Sequence, residues 1–240
     1  MTAAEFDGVS HRYESLVARS TGFGGVEHDF FTRRKANVLL DLTERTFGRP
    51  DTLRALDVGC GVGLTDAHLD GRFAELHGID PSRVAVGRAM TANPEVRYKV
   101  LDGDVLPYPD ATFDLVFAIC VVHHVPPSEW LHFATELRRV VRPGGLVVVF
   151  EHNPLNPLTR LSVLRCEFDD DAVLLSMTRA RRLLVAAGLD PTEQRFIVFV
   201  PSDRRAVLAL EDKLARVPLG AQYYVAARRP VPLTVLPGAR

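Results

Sequence analysis

Between residues 54 and 151 short apolar runs alternate with stretches of mixed apolar and polar residues. The apolar runs at 54–59, 75–79, 96–101, 113–119 and 145–151 predict strands. The mixed stretches at 63–70, 82–92 and 128–141, and a further one at 178–187, predict helices. Leu146-Val147-Val148-Val149-Phe150 is continuous and rich in β-branched residues, the pattern of a strand covered on both faces. Strands and helices in alternation imply an α/β fold, a largely parallel sheet with helices on both sides. Ahead of it, 5–19 and 28–47 read as two helices joined by the glycine-rich turn Thr21-Gly22-Phe23-Gly24-Gly25. Behind it, 195–200 and 222–227 are strand-like and about one helix apart, which predicts an antiparallel pair at the sheet edge. The chain therefore divides into an N-terminal helical extension (1–48), a main domain (49–229) containing an insert (153–177), and an irregular, proline-rich tail (230–240).

An open α/β sheet holds its ligand outside the carboxyl ends of its strands. The first strand ends in Gly59-Cys60-Gly61-Val62-Gly63, and glycines at alternate positions let backbone approach a ligand closely. The second ends in Gly78-Ile79-Asp80, with Asp80 21 positions after Gly59. An acidic residue about 20 positions beyond a glycine turn is placed to grip ribose hydroxyls. The third leads into Asp102-Gly103-Asp104-Val105, the fourth ends at Cys120 to His124, and the fifth ends in Glu151-His152-Asn153-Pro154. The dinucleotide fingerprint wants a glycine at 64, where this chain has Leu64, and no second glycine turn is present. A second acidic site, after the third strand, suits an acceptor for an adenine amino group instead.

Composition narrows the partners. Of 240 residues 47% are hydrophobic and 25% charged, and the net charge of −1 offers nothing to attract a nucleic acid or an anionic membrane. The three cysteines, at 60, 120 and 166, have no C-x-x-C spacing, which argues against a disulfide framework and for a reducing cytoplasm. No signal peptide and no membrane-spanning run is evident in the sequence.

Four segments in this order resemble the class I S-adenosylmethionine-dependent methyltransferases. They are LDVGCGVG from Leu56, GID at 78–80, GDVLPYPDATFDLVFA at 103–118 and LRRVVRPGGLVVVFEHNP at 137–154. The resemblance implies a Rossmann-like, seven-stranded, mostly parallel sheet with an N-terminal helical lid. It also implies S-adenosyl-L-methionine as cofactor and S-adenosyl-L-homocysteine as product. On that likeness Gly59 and Gly61, with Cys60 between them, contact the methionine and ribose portions. Asp57 supports the turn and faces the methionine amino group. Asp80, followed by Pro81, accepts from both ribose hydroxyls, Asp104 accepts from the adenine amino group, and Val105 packs on or bonds the adenine ring. The carbonyl of Cys120 meets the methionine ammonium, and Tyr13 closes over the cofactor.

Methyl transfer is a direct displacement, so alignment does much of the work, and a hydroxyl or carbon acceptor often needs a proton removed. His123, His124 and His152 stand at strand ends facing the expected site and are the candidate bases. Ordinary loop packing explains them too. No ligand spacing points to a metal. The two Asn-Pro steps in EHNPLNPLTR make a stiff turn after the fifth strand. Phe23, Phe30, Phe31, Leu155, Leu158, Leu161 and Phe168 offer apolar walls on the acceptor side. The reading is methyl transfer to a small molecule in bacterial specialised metabolism, to oxygen ahead of nitrogen or carbon. A cofactor-binding cyclase or other rearranging enzyme, a nicotinamide-dependent oxidoreductase and a non-catalytic module stay open. Asp80 is expected at an exposed strand end, where replacement leaves the fold intact.

Overall fold

The computed structural model describes residues 28–166, 172–202 and 204–232. The helix expected at 5–19, with Tyr13, Phe23 and Phe168, lies outside the described residues. Helix α1 (His28–Phe47) precedes strand β1 (Arg54–Val58), and β2 (Glu75–Asp80), α2 (Arg83–Ala92), β3 (Arg97–Val100) and β4 (Phe113–Ile119) follow. Then come α3 (Trp130–Val140), β5 (Val141–His152), α4 (Pro157–Leu164), α5 (Met177–Ala186), β6 (Asp190–Ile197), α6 (Arg205–Leu214) and β7 (Gln222–Arg228).

The strands form one sheet of order β3-β2-β1-β4-β5-β7-β6. β1 to β5 are parallel, and β7 runs antiparallel to both β5 and β6. This is the mostly parallel sheet with an antiparallel C-terminal edge that the apolar pattern predicts. Successive residues of a strand face opposite sides, so each central strand feeds two cores. Leu115, Phe117, Val148 and Phe150 pack with Ala36, Leu39 and Leu42 of α1 and with Ala89 of α2. Val116, Val147 and Val149 pack on the other face with Leu137 of α3 and with Ala180 and Leu184 of α5. Helix α1 belongs to the stretch expected as a lid. It is built into the first core instead, and only its Phe31, Thr32 and Lys35 reach the cavity described below.

Three elements differ from the expectation. The helix expected at 63–70 is a single 3-10 turn, Asp66–His68. The glycine turn before it and Gly71 (φ +68) after it leave too little chain to nucleate an α-helix. The edge strand starts at Asp190 rather than 195, passes Pro191 at a bulge and ends before Val198, whose φ of +60 leaves the extended region. Part of the 153–177 insert is helical. Asn156 caps α4 by accepting from the Thr159 N–H at 3.0 Å, and Pro157 occupies the first turn.

Candidate functional site

Strand order reverses between β1 and β4, and a cavity of about 610 Å³ opens at the carboxyl ends beside that point. Its size suits a cofactor or small molecule. Asp57, Gly59, Cys60, Gly61, Asp80, Pro81, Asp104, Cys120, His123, His124 and His152 all line it, and Val105 does not.

The glycine turn forms one wall. Gly59 (φ +82) and Cys60 donate their N–H groups to Ile79 O at 2.8 and 3.1 Å, which clamps the turn to β2. A Cβ on Gly59 meets Val121 Cγ2 at 2.3 Å, whereas one on Gly61 meets nothing within 4 Å. Gly59 thus lets two loops meet, and Gly61 keeps space open. Asp80 is buried, 3% exposed, contrary to the exposed position expected of it. One of its oxygens accepts from Gly61 N at 2.9 Å and the other from Ser82 N at 2.8 Å, so it ties the turn to β2.

Under the turn lies a buried polar cluster. Asp57, inside β1, is 3% exposed, and its Oδ1 has no hydrogen-bond partner. Burial, then the charge of Asp66 beside it, pushes the Asp57 carboxyl well above the carboxylate range. Burial pushes Asp66 up to about 7. The Tyr98 hydroxyl donates to Asp66 at 2.9 Å, and Asn93 Nδ2 donates to Tyr98 Oη and to Gly63 O, both at 2.9 Å. Two adjacent buried carboxyls favour a shared proton.

Beyond β3 the wall is looser. The Asp104 side chain is exposed, with His132 Nε2 at 3.4 Å from its Oδ2. Val105 points to solvent, and Leu101 and Leu106 supply the apolar surface it was expected to give. Glu136 of α3 holds this loop by accepting from Leu106 N at 2.9 Å, and Arg139 donates to Glu136 and to Leu106 O.

The opposite half comes from β4, β5, β7 and the segments after them. Cys120 sits at φ +57, an uncommon conformation for a side-chain-bearing residue, where β4 turns into the histidine-rich loop. In that loop His123 is buried, and its Nδ1 lies 2.5 Å from Glu151 Oε2. Glu151 Oε1 accepts from Val122 N at 2.8 Å. Burial alone raises the Glu151 carboxyl, but the charge and hydrogen bond of His123, and then His152, hold it below its usual value. The His124 and His152 rings lie 4.2 and 5.3 Å from the His123 ring. Trp130 Nε1 donates to Val122 O and Val125 O, which fixes the loop from α3. The first Asn-Pro step is an anchor: Asn153 Nδ2 donates to Pro218 O and Gly220 O, and Asn153 Oδ1 accepts from Leu155 N.

One residue escaped the strand-end search. Lys35 on α1 is 5% exposed, lines the cavity and has no hydrogen-bond or ion-pair partner among the described residues. Its charge favours the ionised forms of Asp57 and Cys120. It lies 24 positions before Gly59, in a helix read only for its apolar spacing, so no motif marked it. Among the described residues no cluster of three His, Cys, Asp or Glu is arranged to hold a metal ion, and no helix is long and apolar enough to cross a membrane.

Comparison with known proteins adds four findings. A family model described as a methyltransferase domain matches residues 56–149. The ubiquinone biosynthesis O-methyltransferase of Rhizobium etli is 30% identical over 191 residues, 74% of this chain and 73% of that protein. In three dimensions, an S-adenosylmethionine-dependent methyltransferase from Mesorhizobium loti superposes with a TM-score of 0.58 at 20% identity, covering 79% of this chain and 96% of that one. The [4+2]-cyclase SpnF superposes with a TM-score of 0.57 at 23% identity, over 81% of this chain and 82% of its own.

Proposed function

The chain belongs to the class I S-adenosylmethionine-dependent methyltransferases, and from that premise we propose that it methylates a hydroxyl oxygen of a small, uncharged, largely apolar acceptor. The observation that carries this reading is the buried His123–Glu151 pair beside the cavity.

The residues present fit the cofactor. The unpartnered Asp57 Oδ1, the open space at Gly61 and the buried carboxylate of Asp80 form a cradle for its amino, ribose and backbone-facing parts. Lys35 suits the methionine carboxylate, and Leu101 and Leu106 suit the adenine, with Asp104 at its edge. S-adenosyl-L-methionine supplies an electrophilic methyl group and departs as S-adenosyl-L-homocysteine.

The chain's own contribution is alignment and proton removal. In this reading Glu151 accepts from Nδ1–H of His123 and orients the ring, and Nε2 takes the acceptor's proton when the imidazole is neutral. A neutral amine needs no such base, so the pair favours oxygen over nitrogen. His124 and His152 are the alternative bases within the same cluster. Of the acidic lining residues, Asp57, Asp80, Asp104 and Glu136 belong to the cofactor half and Glu129 follows the histidine-rich loop, while α4 contributes Leu158, Thr159, Ser162 and Val163. Helix α4 thus offers a cationic acceptor no carboxylate, and a net charge of −1 gives no support to a polynucleotide acceptor. The reading as bacterial specialised metabolism gains nothing from the relatives: the Rhizobium etli protein is named for ubiquinone biosynthesis.

The test is product mass. Purified protein is incubated with S-adenosyl-L-methionine and a panel of phenols, catechols and amines. A product heavier by one methyl, with equimolar S-adenosyl-L-homocysteine, supports the proposal. Transfer only to amines overturns the oxygen preference. A cofactor-dependent product of unchanged mass replaces it with a rearrangement.

A further inference from the structure

Cys120 and Cys60 both line the cavity and are both partly buried, yet their surroundings differ in sign. Around Cys60 burial comes first, then the charges of Asp66, Asp57 and Asp80, and all of them push its thiol well up. Around Cys120 burial and the charge of Glu151 push up, but the charges of His152 and Lys35 and a hydrogen bond from His152 outweigh them and bring the thiol below its usual value. The geometry agrees. Gln222 Nε2, at the start of β7, donates to Cys120 Sγ at 3.7 Å. Gln222 is itself 5% exposed, lines the cavity, and its Oε1 has no partner. A thiol, an imidazole, an ammonium and an unsatisfied amide oxygen thus line the same cavity, and the amide is bonded to the thiol. The methyl-transfer reading assigns the Cys120 side chain no role.

We propose that Cys120 is a reactive-thiol site that captures α,β-unsaturated carbonyl compounds, quinones included, that enter the cavity. His152 takes the thiol proton. The thiolate sulfur forms a bond to the β-carbon, the carbon–carbon π pair moves to give an enolate, and the His152 imidazolium returns its proton to the α-carbon. The product is a neutral thioether, and no oxidant or reductant is consumed. The adduct fills the wall where the methionine end of the cofactor is placed, so capture and cofactor binding exclude one another. The class of ligand follows from the nucleophile: sulfur selects a soft carbon electrophile.

N-ethylmaleimide is the probe. The full chain is treated at pH 7 with less than one equivalent, digested and mapped by mass spectrometry, with and without S-adenosyl-L-homocysteine. Cys120 is expected to carry the adduct, to react about tenfold faster than Cys60 or Cys166, and to be protected by S-adenosyl-L-homocysteine. His152→Gln is expected to slow the labelling of Cys120 about tenfold, in proportion to the thiolate lost. Labelling first at Cys166 or Cys60 overturns the proposal. So does a Cys120 rate no faster than that of a free thiol, or one unchanged in His152→Gln. Wild-type mapping does not depend on a variant folding. The readout is adduct mass rather than turnover, so failure here is distinct from failure of the methyl-transfer reading.

Discussion

The two halves of the cavity are built in different ways. On the β1–β2 side the contacts at the turn are made largely by backbone: a glycine turn whose N–H groups bond to Ile79 O and to the aspartate at the end of the next strand. On the β4–β5–β7 side they join residues far apart: His123 with Glu151, Cys120 with Gln222, and Asn153 with the loop before β7. The first half is a backbone cradle that the fold itself creates at the switch in strand order. The second is assembled from side chains on unrelated segments, so it is free to change with the acceptor while the cradle stays. Lys35 links them, because its charge reaches both Asp57 and Cys120.

The sharpest way to separate the halves is His123→Gln. It is expected to lower kcat by about 10²- to 10³-fold, the usual share of a general base. The cofactor Kd measured by calorimetry is expected to stay within about threefold of wild type, because the cradle holds no part of His123. Equal losses in both would merge the halves. Asp80→Ala does the reverse. Losing the bonds to Gly61 and Ser82 is expected to weaken cofactor binding at least about tenfold and to cost roughly 2–4 kcal/mol of stability, read by denaturant titration. That stability loss follows from the buried position of Asp80; a neutral effect on stability restores the simple ribose-only role. Lys35→Met keeps length and removes charge. It is expected to weaken S-adenosyl-L-homocysteine binding by about tenfold, with little change in melting temperature.

The smallest effect concerns pH. Asp66 has its folded-state pKa pushed up to about 7, above that of the unfolded chain. Its contribution to stability is therefore full below the unfolded value near 4 and lost as pH rises through about 7. Thermal melts between pH 5 and 8.5 are expected to show melting temperature declining across neutrality. Asp66→Asn, which keeps an acceptor for Tyr98, should flatten that decline. A wild-type curve flat through pH 7 removes the shared-proton reading of the Asp57–Asp66 pair.

Much of the cradle was legible because its signals are local. Alternating apolar runs mark the strands, and alternate glycines with an aspartate one β-unit later mark the wall. The misreadings have physical causes. Asp80 reads as an exposed acid, yet the turn it supports folds back over it. Val105 follows Asp104 in sequence, but the bend of the loop aims Leu106 inward instead. The 63–70 stretch carries helix-like residues, but its glycines shorten it to one 3-10 turn. Lys35 lies in a helix whose apolar stripe was the only visible feature.

The sequence by itself determined the α/β alternation, the ligand-bearing end of the sheet and the chemical class of the cradle. Each follows from local periodicity or from spacings of about one β-unit, where sequence and geometry are tied together. Which histidine meets a carboxylate, which cysteine gathers positive charge, and that Lys35 of α1 enters the cavity with no partner among the described residues come from the three-dimensional packing alone. Those outcomes depend on strand order and helix packing, which bring segments 28 to 102 residues apart to the same few ångströms, and no local pattern encodes that distance.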